Sequence, residues 1–421
     1  MPERKPSRRL ALAGLGAAAV GGAAVVAGRR KDLGGAHDAY FAGLSRALDR
    51  AGIAEPVMVV DRARLAKNIA AVKSNLDGSG LGVRVVVKSL PSMPLIETVA
   101  DGLGSDRFMV FNTEMLGEMR KRRPTASLLF GKPQPVAAAH AHLKAFGPGG
   151  EPQWLIDTPE RLAQYAALAR ETGAPMKINL ELDVGLHRGG FPDAKAVADV
   201  LELAGREPRL EVTGLMGYDP HVVKTLDPAA AYASAVKTYA AARTALLARL
   251  GAAPGSLTLN AAGSPTYVLH AKDTAANEVS IGSGFVKPTD FDRPTLANHV
   301  PAAFIATPVL KALDRFEIPS IEGASDLISF FDPNAERAFF IFGGHWLAKP
   351  VSPPGLELNP LYGRSSNQEL LTGSRRVRLE PDDWVFLRPT QSEAVFLQFG
   401  DLAVFEGGEI SQRWPTFPVS A

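Results

Sequence analysis

Cysteine is absent from all 421 residues. That excludes disulfides, thiolate nucleophiles and cysteine-ligated metals. It leaves the compartment open, because a cysteine-free chain is stable in either redox environment. Excess charge is also lacking. The formal net charge is +2, and part of it sits in the first 31 residues. No basic stripe with interleaved aromatics occurs, so nucleic-acid binding is not expected. What is present, 46% hydrophobic and 21% charged residues, is ordinary for a globular enzyme. The length suits one large domain with a smaller companion.

The N-terminus reads as a separate object. Arg4, Lys5, Arg8 and Arg9 precede an uncharged stretch from Leu10 to Gly28, and Arg29, Arg30 and Lys31 follow it. The stretch is long enough to span a bilayer and also fits an export signal. Ser7-Arg8-Arg9-Leu10-Ala11-Leu12 is similar to a twin-arginine signal, and Val25-Val26-Ala27 could serve signal peptidase. Positive charge on both flanks leaves an anchor's orientation undecided. Residues 1–31 are expected to be a signal peptide or a membrane anchor. The first gives export to the periplasm, and the second gives inner-membrane association through residues 10–28. A cytoplasmic chain is the alternative.

From about residue 50, strand-like and helix-like segments alternate. Strand-like runs begin at Val57, Val83, Arg107, Ser127, Gln153, Lys177, Leu210, Leu257 and Val279. Helix-like segments follow them, one opened by the N-cap candidate Thr158. Eight or nine β–α units of this length predict a TIM-type (β/α)8 barrel over residues 50–295, in an α/β fold class. From about Val300 the pattern changes. Ala302–Leu310, Ala338–Phe342, Trp384–Leu387, Ala394–Phe399 and Leu402–Phe405 read as strands, and helix signals are scarce. The expectation is a C-terminal mostly-β domain over residues 300–421, against which residues 32–50 also pack.

The chemistry sits where these strands end. Lys88 closes the apolar run Val83-Arg84-Val85-Val86-Val87 and is followed by Ser89-Leu90-Pro91. A lysine at the carboxyl end of a barrel strand points to where such barrels place their chemistry. If desolvated there, it can form a Schiff base with a carbonyl compound. Asp183-Val184-Gly185-Leu186-His187-Arg188, Gly217-Tyr218-Asp219-Pro220-His221, Gly263-Ser264-Pro265-Thr266 and Gly282-Ser283-Gly284 follow later strands. Amides of Gly263 and Ser264, ahead of a short helix, can cradle a phosphate. Thr266 and Ser283 add hydroxyl donors, and Gly282 and Gly284 allow close backbone approach. Arg188 carries a guanidinium fork suited to a ring nitrogen or a carboxylate. Its other reading is an ion pair with Asp183 or a neighbouring acid.

This ordered set resembles the fold-type III pyridoxal-phosphate enzymes, the alanine-racemase-like barrels. Within them it is most similar to the branch of D-threonine aldolase and D-serine dehydratase. The similarity rests on Val59-Val60-Asp61, Arg84 through Ser89, residues 183–190, Gly214 through His221, Gly263 through Tyr267, and Glu278 with Gly282-Ser283. It implies pyridoxal 5'-phosphate as the cofactor, held by Lys88, which would also shuttle the α-proton. It implies that Arg188 faces the pyridine nitrogen and leaves it largely unprotonated, limiting the electron sink. It places the phosphate on Gly263, Ser264 and Thr266 and on Gly282 and Ser283. Tyr218 becomes a ring or substrate contact. Lys88 and Tyr218 are thus the candidate catalytic residues.

The chain also departs from that branch. The branch reads Arg-Pro-His-x-Lys-Thr-His where Arg84-Val85-Val86-Val87-Lys88-Ser89-Leu90 stands here, so both histidines are missing. Its divalent-metal ligands, a histidine and a cysteine or aspartate, correspond to Gln391 and Glu393. Glutamine is a poor ligand for a zinc-like ion, so no metal of the usual kind is expected, and a carboxylate site at Glu393 for a harder ion stays open. The implied function is a pyridoxal-phosphate enzyme acting at the α-carbon of an amino acid, by preference a D-amino acid, as a lyase. A racemase is one alternative and would need a second base, for which Tyr362 and His345 are candidates. A non-catalytic carrier of the cofactor is another. The expected partners are a small amino-acid substrate and a second copy in a homodimer.

Overall fold

The computed structural model describes residues 29–147, 152–318, 320, 324–359 and 361–418. The twin-arginine motif and the stretch 10–28 lie outside the described residues. Among the described residues no helix is long and apolar enough to cross a membrane. The chain divides into two units, one of residues 57–304 with 389–421, the other of residues up to 56 with 305–388.

The first unit opens with β1 (Val57–Asp61), whose five residues are all buried. Eight parallel strands then close a barrel: β2 (Gly82–Val86), β3 (Arg107–Val110), β4 (Ser127–Phe130), β5 (Gln153–Ile156), β6 (Met176–Leu182), β7 (Leu210–Gly217), β8 (Thr258–Ala261) and β9 (Glu278–Ile281). Closure comes from β9 pairing back onto β2, with Arg84 opposite Ser280 and Val85 opposite Ile281. Helices follow most strands, as a right-handed parallel crossover requires. Their starts are written locally. Asp61, Asn112, Thr158, Asp193 and Asp227 each accept a hydrogen bond from an amide of the first turn, which satisfies a donor that the helix itself cannot.

The period of two explains β2. Val85 and the following Val87 are fully buried. Arg84 and Val86 share the other face, the inside of the barrel, and Lys88 follows in the turn that ends the strand. Arg84 there donates from Nε to Glu278 Oε1 at 2.5 Å and from Nη2 to Oε2 at 3.0 Å. Its Nη1 reaches the carbonyls of Phe108 and Ser127, and Asn260 Nδ2 adds a bond to Glu278. This network ties β2, β3, β4, β8 and β9 together below the level of Lys88.

The second unit has β10 (Ala303–Leu313), β11 (Arg337–Phe342), β12 (Ala348–Ser352), β13 (Glu357–Leu358), β14 (Gln368–Gly373) and β15 (Trp384–Pro389). β11 pairs antiparallel with both β10 and β14, and β15 with β10. A helix at Ala39–Arg50 belongs to it, with Asp49 accepting from Trp384 Nε1 at 2.7 Å.

The chain then returns to the first unit. β16 (Asp401–Glu406) pairs parallel with β1, and β17 (Glu409–Pro415) pairs with β16. Two sequence expectations are corrected here. Val57–Asp61 is not a barrel strand; it pairs with β16, although five buried residues read like one. Ala394–Phe399 is not a strand but a helical turn, Glu393–Phe396, continued by a 3-10 turn. A short apolar run does not distinguish the two. The return also means that residues 389–421 group with the barrel, whereas a single break near residue 300 had been expected.

Candidate active site

The carboxyl ends of β2, β3, β7, β8 and β9 surround an open cleft of about 580 Å³, counting the solvent at its mouth. That lies within the range of small-molecule sites. Lys88, Arg188, Tyr218, Gly263, Ser264, Gly282 and Ser283 all line it. Seven of the eight residues chosen from the sequence therefore meet in one place, and Thr266 does not.

Lys88 sits in the 3-10 turn Val87–Ser89 at the end of β2. Its Nζ lies 2.8 Å from Glu393 Oε1 and 4.6 Å from the centroid of the Phe111 ring. Its side chain is 34% exposed and paired with a carboxylate. Glu393 comes from the return segment. The sequence comparison set it where the branch has its second metal ligand and gave no signal of its contact with Lys88. Gln391 donates instead to Asp290 Oδ2 at 3.3 Å.

The glycine turns interlock. Ser264 Oγ accepts from the Gly282 amide at 3.1 Å and the Gly284 amide at 3.0 Å, which holds the two turns edge to edge. A β-carbon on Gly263 would lie 2.6 Å from Tyr218 Cε2, and one on Gly282 would lie 2.7 Å from Ser89 Cβ. Close approach, not left-handed backbone, is what demands glycine at both positions. Thr266 is fully buried. Its hydroxyl donates to Asp219 Oδ1 at 2.6 Å and accepts from the Gly263 amide at 3.1 Å. It shapes the turn from behind and is no donor to the cleft. His270 Nε2 holds the other Asp219 oxygen at 2.8 Å. Below the second turn, His299 Nδ1 lies 2.9 Å from the Gly284 carbonyl and Nε2 lies 2.8 Å from the Tyr267 hydroxyl. Burial, with Lys287 nearby, pushes the His299 imidazole down to about 4. A neutral ring that donates from Nδ1 and accepts at Nε2 satisfies both contacts.

Arg188 stands over the Tyr218 ring, 4.9 Å from its centroid, and donates to Glu181 Oε1 at 3.4 Å. The acid that pairs with it is thus Glu181, not Asp183. Burial raises the Glu181 carboxyl against the opposing charge of Arg188. Burial also raises the Tyr218 phenol, again opposed by Arg188. Asp183 serves its own loop, accepting from the Gly185 and His187 amides and the His187 ring. Burial alone would raise its carboxyl, but these bonds hold it below the usual range. His345 and Tyr362, the candidates for a second base, are both exposed residues of the other unit.

A family model described as the alanine racemase N-terminal domain matches residues 60–289, and the chain belongs to that family. Solved structures with the same fold include D-threonine aldolase from Filomicrobium marinum, at 15% identity and a TM-score of 0.70, covering 86% of this chain and 96% of that one. D-threo-3-hydroxyaspartate dehydratase from Delftia sp. HT23 has 15% identity and a TM-score of 0.69, covering 87% and 98%. Alanine racemase from Bacillus anthracis has 14% identity and a TM-score of 0.64, covering 86% and 98%. No curated protein matches the sequence. The family is one of fold-type III enzymes that depend on pyridoxal 5'-phosphate. The residues present fit that group, since a lysine amine, an arginine and two close-packed glycine turns line one cleft.

Proposed function

We propose that this chain is a pyridoxal-phosphate-dependent lyase acting at the α-carbon of an amino acid, with a D-β-hydroxy amino acid as the preferred class. The observation that carries the reading is the meeting of Lys88, Arg188 and the two glycine turns in one cleft. Lys88 Nζ would hold the cofactor and carry the α-proton. The turns at Gly263-Ser264 and Gly282-Ser283-Gly284 would hold its phosphate, with Thr266 fixing the first turn from behind. Arg188 would meet the ring nitrogen, oriented by Glu181 and by its stacking on Tyr218. Pyridoxal phosphate, when bound, supplies the electron sink for chemistry at the α-carbon. The lyase reading draws on the structural neighbours named for D-threonine aldolase and D-threo-3-hydroxyaspartate dehydratase.

The test is borohydride reduction of protein purified with added cofactor, followed by peptide mapping. A phosphopyridoxyl group on Lys88 is expected. A screen of D- and L-amino acids then reads aldehyde, keto acid or enantiomer as product. Enantiomer alone would replace the lyase by a racemase. No adduct on Lys88 would refute the site.

A further inference from the structure

We propose that Glu393 is a positioning residue for Lys88, holding the ε-ammonium in the cleft and restraining its reaction as a free amine. The inference rests on Lys88 being the residue that takes the cofactor.

Three observations carry it. The Nζ to Oε1 distance is 2.8 Å, and the Phe111 ring flanks the same ammonium at 4.6 Å. The nitrogen is thus held between a carboxylate and a ring face, both of which attract a cation. Among the described residues that line the cleft, Glu393 is the only carboxylate. The segment that delivers it is also fixed to the barrel. Ser392 Oγ donates to Ser283 Oγ at 3.0 Å, and both serines are buried. The Asp290 amide donates to the Thr390 carbonyl at 3.2 Å, and Val395 and Phe396 are buried. A casual surface pair would swing on a free side chain. This one stands on a packed turn.

The arrangement has a chemical consequence. A lysine ammonium must lose one proton before its nitrogen can attack a carbonyl carbon. Glu393 Oε1, 2.8 Å from the nitrogen, holds the ammonium that must give up that proton. Ser392, the neighbouring residue, touches Ser283 in the phosphate turn. The lysine and the phosphate cradle are therefore bridged by two consecutive residues of the return segment, and substituting Glu393 should alter how Lys88 reacts without altering the fold.

The test uses the full chain stripped of cofactor, as wild type, E393Q, E393A and E393D. Each is trace-labelled with acetic anhydride near neutral pH, and modification at Lys88 is quantified by mass spectrometry. The partners are 34% and 39% exposed, and a pair of this kind is worth up to about 1 kcal/mol, or roughly fivefold. Labelling of Lys88 is expected to rise about threefold to fivefold in E393Q and E393A. E393D should fall between these variants and wild type, and the four melts should lie within about 2–4 °C of one another. A purely structural role would move the melts and leave the labelling ratio unchanged. Equal or slower labelling in E393Q and E393A overturns the proposal. Borohydride trapping is scored separately. Its failure on wild-type Lys88 would sink the cofactor reading, while the labelling ratio alone decides the contact with Glu393.

Discussion

Arg84→Met tests whether the polar network inside the barrel supports the site. Arg84 lies on β2, four residues before Lys88, and its side chain and that of Glu278 are 1% and 2% exposed. Water cannot replace the lost bonds. The substitution removes two bonds to Glu278, one each to the Phe108 and Ser127 carbonyls, and one to Ser127 Oγ. Asn260 and Arg107 would remain on Glu278, at 2.9 and 3.2 Å. Breaking a buried pair from one side costs about 3–5 kcal/mol, and the remaining partners argue for the lower figure. At about 2–4 °C per kcal/mol for a domain of this order of size, Tm should fall by roughly 6–12 °C. The pH dependence is a second check. In the wild type, burial pushes the Glu278 carboxyl up, but the charge and hydrogen bonds of Arg84 outweigh it and hold the carboxyl below the usual range. A lowered folded value contributes stability at neutral pH that is lost as the pH falls through the carboxylate range. Without Arg84, burial dominates, so the folded variant prefers the protonated acid and loses stability as the pH rises. The Tm gap between the two proteins should therefore widen from about pH 4.5 to about pH 7.5. Calorimetric melts at both values decide it. A fall of less than about 2 °C, or a gap as large at acid as at neutral pH, would refute the reasoning.

Other perturbations probe the turns, the histidines and the N-terminus. Gly263→Ala puts a β-carbon 2.6 Å from the Tyr218 ring; overpacking of this kind costs about 1–3 kcal/mol, so cofactor retention after dialysis, read by visible absorbance, should drop at least about fivefold. Thr266→Val leaves one Asp219 oxygen and the Gly263 amide without their bonds to the hydroxyl. A loss of about 1–3 kcal/mol is expected by denaturant unfolding, largely restored by serine, and unchanged stability would show that the turn does not depend on Thr266. His142 and His299 are both held down to about 4, chiefly by burial. Each contributes stability that is complete above about pH 6.5 and lost as the pH falls toward 4. H299Q should flatten that part of a Tm-against-pH curve, and an unaltered slope would count against it. A fusion of residues 1–31 to a reporter that must fold before export should reach the periplasm or the inner membrane, and a reporter left soluble in the cytoplasm would exclude both.

What the sequence disclosed depends on how far each contact reaches. The barrel was legible because its signals are local: an apolar run, a turn, a helix with its cap. Lys88 was legible for the same reason, since the end of a strand is marked by the residues beside it. Thr266 shows where this stops. A hydroxyl beside a glycine turn reads as a phosphate donor, but its direction is set by Asp219 from another strand end, itself held by His270. No spacing within the turn records that competition. Val57–Asp61 fails in the same way. Burial on both faces is common to a barrel strand and to a strand beside it, and only the partner, β16, separates them. Glu393 is the extreme case. The resemblance set this position against a metal ligand of the D-threonine aldolase and D-serine dehydratase branch and carried no signal of Lys88. The structure turns its carboxylate toward the lysine nitrogen. A substitution that removes one contact can thus install another, and reading a departure only as a loss misses the residue that took its place.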